Sequence, residues 1–401
     1  MMKASPASVE QRTARSFQQI CQEPFRIFFP AGVLLGLAGV SRWVAFYLGA
    51  GTPYPNIAHA RLMIEGFMAS FIFGFLGTAG PRLTSAPAFS LPELGAVFTL
   101  DLLAAGLHLG EAHQAGDICF TACLLIFAWA LARRFRQRKD CPPPNLVLVA
   151  LGLVSGILGC ALVAATDGAV YSRTYQFASA LLNQGFVLLP ILGVGPFFLE
   201  RLLDLPGPDL PESRAFPPGW LRQAGFAALI GVVIIASFLV DAFDLPRLGG
   251  WTRVIALAVY LGSRMPWGGQ SFLANYLRAG VLFILCGFTL IAFFPIYRIG
   301  LLHVVFVTGF NLLVFTVATR VIFGHSGHLA RLKVRMWFFI WASALLFLAM
   351  ASRVTADLSP RSRIVHLTAA AVCWLVAALI WVSRVMPKVV LIEAETKSPG
   401  D

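Results

Sequence analysis

The feature that leaves this chain the fewest possible folds is the recurrence of apolar runs about as long as a bilayer is thick. A helix crossing roughly 30 Å of hydrocarbon needs about twenty residues at 1.5 Å each. Such runs fall at 27–49, 57–79, 91–110, 116–133, 145–166, 176–199, 219–241, 251–266, 273–293, 299–322, 333–352 and 363–386. Only helices satisfy every backbone polar group inside lipid at this run length, so the sequence predicts an all-α, polytopic transmembrane bundle of about twelve helices. The run at 251–266 is the shortest. Composition agrees: 58% of the 401 residues are hydrophobic and 12% charged, against about 25% charged in a soluble domain. The 36 Gly and 24 Pro are compatible with membrane helices, whose neighbours re-satisfy freed backbone groups.

A net charge of +12 would suit nucleic acid, but the basic residues sit in short clusters between apolar runs and make no stripe with interleaved aromatics. They read as orientation signals. With the N-terminus inside, the inner segments hold Lys3, Arg12, Arg15 and Arg26, the cluster from Arg133 to Lys139, and Arg320, Arg331, Lys333 and Arg335. That reading puts about twenty-one of the 31 Lys and Arg inside and about seven outside, the latter including Arg173, Arg247, Arg298, Arg353, Arg361 and Arg363. Both termini are then expected in the cytoplasm. A 1–26 tail, a six-helix half over 27–199, a Pro- and acid-rich linker at 200–218, a second half over 219–386 and a 387–401 tail complete the expected organisation. The halves show no alignable repeat. The polar first 26 residues and the long first run do not resemble a removable signal peptide.

The seven cysteines form no Cys-x-x-Cys, which argues against zinc knuckles and covalently attached haem. Histidines are more informative. His59, His108, His113, His303 and His366 all fall at the outer side of this topology, and only His325 and His328 at the inner side. Histidine is tolerated at membrane interfaces as an amphipathic residue. The sharper alternative is that His59 and His303, at equal depth on different helices, face the bundle interior and ligate a metal or haem. Met63 lies one turn from His59 and offers a soft thioether, or else fills the core.

Charges at membrane depth are costly and usually paired or functional. Arg42, Glu65, Asp101 and Arg278 qualify, with Arg61 at the edge. Arg61 would neutralise an anionic cofactor group or snorkel to the headgroups; Glu65 and Asp101 would carry protons or pair with Arg42. Asn183, Gln184 and Asn311 suit interhelical hydrogen bonds. In R-V-I-F-G-H-S-G-H, Arg320 to His328, arginine ends a helix and two glycines fix the turn around His325. No phosphate-cradling loop, His-Glu-x-x-His or Ser/His/Asp arrangement appears, and no residue set specifies a reaction.

The stretch from His303 to Gly327, H-V-V-F-V-T-G-F-N-L-L-V-F-T-V-A-T-R-V-I-F-G-H-S-G, resembles the signature helix of the NnrS family of bacterial membrane proteins. F-R-I-F-F at Phe25 to Phe29 is similar to that family's opening motif. So is H-A-R-L-M-I-E-G-F with G-F-L-G-T-A-G-P, between His59 and Pro81. The resemblance implies a multi-pass protein of the bacterial cytoplasmic membrane containing haem b and copper and linked to nitric oxide and nitrosative stress. It implies His59 and His303 as ligands, with Met63 and Arg61 beside them. It also implies Arg320 and His325 as a structural or proton-handling element at the inner face. The chain departs from the pattern in three places. His59, Arg61, Leu62 and Met63 stand where the family has His-x-His-Glu-Met. Gly193 to Phe198 lacks the family's arginine, and the Trp-x-x-His expected around the ninth run has no histidine. Two further readings stay open: a cofactor-free transporter or channel with a polar path through Glu65, Asp101 and Arg42, and a degenerate relative that assembles partners without chemistry.

Overall fold

The computed structural model describes residues 9–166, 168–203 and 211–389, with side chains from residue 16 onward. Lys3, the side chains of Arg12 and Arg15, the 204–210 part of the expected linker and the tail from 390 lie outside what is described. Among the described residues there are thirteen helices and no strand. A short α1 (Val9–Gln22) precedes α2 (Phe25–Tyr47), α3 (Asn56–Leu83), α4 (Leu91–Leu109), α5 (His113–Gln137), α6 (Leu146–Thr166) and α7 (Arg173–Leu202). Then follow α8 (Trp220–Ala242), α9 (Pro246–Arg264), α10 (Phe272–Phe293), α11 (Pro295–His325), α12 (Trp337–Leu358) and α13 (Pro360–Lys388). Eleven are long and apolar enough to cross a membrane. The twelfth, α9, matches the shortest predicted run and carries Arg247, Arg253 and Arg264. It packs between α8 and α10 as a full member of the bundle.

Three helices are central. The most apolar stretches of α3, α7 and α11 are 78%, 67% and 67% buried, against 50% or less in the other spans. The outer helices present large apolar side chains such as Leu34, Ile118, Leu229 and Trp341 to their surroundings, as a lipid solvent requires. The central helices recur at every fourth position, and this sorts the bundle into three groups: α2–α5, α6–α9 and α10–α13. The last helix of each group packs on the first of the next, α5 on α6, α9 on α10 and α13 on α2, closing a ring.

A local motif accompanies this order. Each central helix widens into π-helical turns, at Leu62–Met68, Leu181–Gly185 and Val304–Asn311. Each π segment carries a Gly-Phe pair at or near its end: Gly66-Phe67, Gly185-Phe186 and Gly309-Phe310. The glycine is where the central helix meets the first helix of its group. A Cβ there would lie 3.0 Å from Leu35, 3.2 Å from Ser155 or 2.6 Å from Ile284. Glycines reciprocate on the facing helices, since a Cβ at Gly36 would strike the Phe67 ring at 2.8 Å and one at Gly156 the Phe186 ring at 2.7 Å. In lipid, small residues replace hydrophobic driving force with close backbone approach. The 200–218 segment joins α7 to α8 within one such group of four.

The two ends of the described chain meet. Arg26 donates to the Val389 carbonyl, and Ser326 Oγ donates to the Lys388 carbonyl at 2.7 Å.

Candidate functional site

The π turn in α3 lies among α4, α5 and α6 and gathers the most concentrated buried charge of the molecule. Arg61 and Glu65, four residues apart, are 3% and 2% exposed, too little for Arg61 to reach headgroups. Arg61 Nε lies 2.6 Å from Asp117 Oδ1 and 3.1 Å from Glu65 Oε1. His108 Nε2 of α4 lies 3.0 Å from Glu65 Oε2 and 3.8 Å from Asp117 Oδ1. Cys160 of α6 closes the cluster, donating to the Asp117 carbonyl at 3.0 Å. Glu65, His108 and Asp117 present one ligand atom each within 4.8 Å of one another, a mixed carboxylate and imidazole set able to hold a metal ion. Two carboxylates against one guanidinium leave one negative charge, which a cation or a proton neutralises at a depth where an uncompensated charge is costly.

The cluster has a way out. His108 Nδ1 is 3.4 Å from His113 Nδ1, His113 Nε2 is 3.1 Å from Glu111 Oε2, and Glu111 pairs with Arg42. Side-chain exposure rises along this chain from 1% at His108 through 22% at His113 to 35% at Glu111. It is a row of groups able to pass a proton between the interior and the end of the bundle. Asp101 is buried on α4 and accepts from Ser70 Oγ at 2.7 Å, with its other oxygen unpartnered.

His59 and His303 sit apart from this cluster, each near the start of a central helix. His59 Nδ1 faces the Gly39 carbonyl at 3.1 Å, and His303 Nδ1 faces the Ile299 carbonyl at 2.8 Å. A carbonyl accepts only from N–H, so in both rings the proton sits on Nδ1 and the Nε2 lone pair is left open. The two rings lie within electrostatic reach of each other, and both within reach of Arg353. The Met63 sulfur lies on the His59 face, near Gly39 of α2. Helices α3 and α11 touch along their later turns.

Several sequence expectations change here. Arg61 is held between Asp117 and Glu65, and Arg353 lies within electrostatic reach of the two histidines. The sequence reading put Arg353 in an outer loop because the apolar run stops at 352, but α12 continues to Leu358 and pairs Arg353 with Asp357 at 2.9 Å. Arg42 pairs with Glu111, not with Glu65 or Asp101. Arg278 caps the loop before α10 by donating to the carbonyls of Pro266, Gly268 and Gly269. His325 stands at the opposite end of α11 from His303, with Nδ1 2.7 Å from Glu23 Oε1 and near Arg82, and Gly327 turns the chain at φ 70°. Asp117 and Arg253 each lie at the edge of an apolar run, where a buried charge reads like an interfacial one. A charge one or two residues inside a run's limit is the available signal. Arg253 pairs with Asp241 and reaches Ser237 Oγ at 3.0 Å and Gln184 Oε1 at 3.5 Å, so the second group of helices has its own buried polar cluster.

The family model described as NnrS protein covers residues 19–391. No curated protein matches the chain.

Proposed function

Because the chain belongs to the NnrS family, we propose that it is a membrane metalloprotein of nitric oxide or nitrosative-stress handling, in which His59 and His303 would hold a b-type haem. The observation that carries this reading is the shared state of the two rings. Each has its Nδ1–H bound to a backbone carbonyl and its Nε2 open, on two neighbouring central helices. A carbonyl bond behind the ring fixes the tautomer and orientation of an imidazole ligand and raises its basicity. Arg353, near both rings, is the residue that would pair with a haem carboxylate. A haem held there would supply electron transfer or the binding of a small diatomic molecule. The protein's own part is to hold the rings at one depth and to keep a protonatable row, Glu65, His108, His113 and Glu111, on the other face of α3. Met63 offers a thioether suited to copper on the His59 side. The basic end carrying both described chain ends is the cytoplasmic one in this reading.

The test is the absorption spectrum and metal content of protein purified from haem-replete cells. A Soret band that is lost or shifted in both His59→Ala and His303→Ala supports the ligand pair. A colourless wild type, or a band indifferent to both substitutions, removes it.

The buried carboxylate and histidine cluster supports a second reading, a divalent-cation site at Glu65, His108 and Asp117. Its oxygen and imidazole donors suit zinc, manganese or iron better than copper(I). Metal that persists in His59→Ala but is lost in His108→Ala assigns it there.

A further inference from the structure

Asp101 stands in the middle of α4, ten residues from its first residue and eight from its last, and is 1% exposed. Ser70 Oγ of α3 donates to its Oδ2 at 2.7 Å, and its Oδ1 has no partner. Among the described residues no Lys, Arg or His forms an ion pair with it: Arg61 is engaged by Asp117 and Glu65, and Arg42 by Glu111. The titratable groups within electrostatic reach are Glu65 on α3 and Cys119 and Cys123 on α5, none of them a cation. The π turn of α3 builds this position. Residues five apart on an α-helix point about 140° away from each other. The wider turn at Leu62–Met68, with its i→i+5 bonds, rotates Ser70 toward the face of Glu65. Both then meet α4, Glu65 at His108 and Ser70 at Asp101. Those two partners stand seven residues apart on one face of α4, about 10 Å along its axis.

An ionised carboxyl at this depth, with one hydroxyl donor and one bare oxygen, is costly, and a neutral carboxylic acid is far less so. The negative charge left over among Arg61, Glu65 and Asp117 adds to that cost. A divalent cation held by Glu65, His108 and Asp117 reverses the sign of the field at Asp101, because its two charges exceed the one that remains. We infer that Asp101 is the proton partner of such a cation: binding of the cation releases the Asp101 proton to the aqueous phase, and return of the proton weakens the hold on the cation. This exchange rests on the cation reading of the Glu65, His108 and Asp117 cluster. The O–H bond of the acid breaks with no change of oxidation state, the proton passes to water or buffer, and the cation balances the carboxylate left behind. A proton released on binding makes cation affinity rise with pH.

Zinc binding to the full-length protein in nanodiscs tests this, with Asp101→Asn as the diagnostic variant and His108→Ala reporting zinc bound elsewhere. Isothermal titration calorimetry in buffers of different ionisation enthalpy counts the protons released, and infrared difference spectra follow the carboxylic-acid C=O stretch. At neutral pH wild type is expected to release about one proton more per zinc than Asp101→Asn, and its zinc affinity to rise about tenfold more per pH unit. Zinc-free wild type is expected to show a carboxylic-acid band that zinc removes and that Asp101→Asn lacks. Ser70→Ala, which deletes the hydroxyl bonded to Oδ2, is expected to shift that band, which assigns it to Asp101 even where Asp101→Asn does not fold. Equal proton counts in wild type and Asp101→Asn, or a band indifferent to Ser70→Ala, overturn the exchange while the cation site stands. Wild type that binds no zinc beyond His108→Ala removes the cation reading, and the exchange with it.

Discussion

The Arg61 guanidinium of α3 lies 2.6 Å from the Asp117 carboxylate of α5, across 56 residues of sequence and at a depth where both side chains are at most 4% exposed. Glu65 shares the same guanidinium at 3.1 Å, and His108 Nε2 lies 3.8 Å from the same carboxylate. The pair ties the first central helix to the outer wall of its group and fixes the face of α3 that meets α2, on which His59 and Met63 stand.

Removing one member leaves a buried charge without its partner. Arg61→Leu is expected to cost about 3–5 kcal/mol of stability, and Arg61→Leu with Asp117→Leu clearly less than the sum of the two single changes. Unfolding in detergent of the two singles and the double variant measures the coupling. Strict additivity would show that the pair is not a unit.

The close approach of α6 and α7 at Gly156 gives a packing prediction. A side chain there meets the Phe186 ring at 2.7 Å, whereas Gly262 of α9 has open space around it. Gly156→Val is expected to lose about 1–3 kcal/mol and Gly262→Val little. Comparable losses in the two variants would contradict the role of the glycine contacts.

A pH dependence follows from Glu23. Burial opposes its ionisation, but hydrogen bonds from His325 and Arg26, with the charges of both, hold its carboxyl at about 2 against an ordinary 4.5. A folded-state value below the unfolded one stabilises the protein above about pH 4.5, and that contribution is lost as pH falls through 4.5 toward 2. The melting temperature of wild type is therefore expected to fall more steeply over this window than that of Glu23→Gln. Parallel profiles would mean the contact contributes nothing.

Orientation is open to a direct check. Asp140 and Gly168 flank α6, so reporter fusions at the two positions are expected on opposite sides of the membrane, with Asp140 cytoplasmic. Both reporters on one side would mean that α6 does not cross.

Much of the fold was legible because the bilayer imposes it. All twelve predicted runs correspond to helices, and the one that reads weakest, at α9, is the one that falls short of the membrane-crossing criteria. The family likewise showed itself in a contiguous stretch, His303 to Gly327, since a helix with fixed end residues is a local pattern. The candidate site was legible only by halves. Glu65 and Arg61 were visible as charges inside an apolar run, but their partners Asp117 and His108 sat at run edges, where sequence gives no way to tell a buried group from an interfacial one.

The sequence by itself determined the solvent, the twelve long apolar runs that become helices and the family, because hydrophobic run length and local motif spacing are properties of contiguous residues. Tertiary structure alone decided that every fourth helix is central, that Arg61 faces Asp117 while Arg353 approaches the two histidines, and that Glu65 and Ser70 of α3 meet His108 and Asp101 of α4. These depend on which faces of distant helices meet. In a bundle where nearly every face is apolar, hydrophobic periodicity does not specify that choice; a few glycines and buried charges do, through contacts that exist only once the helices have packed.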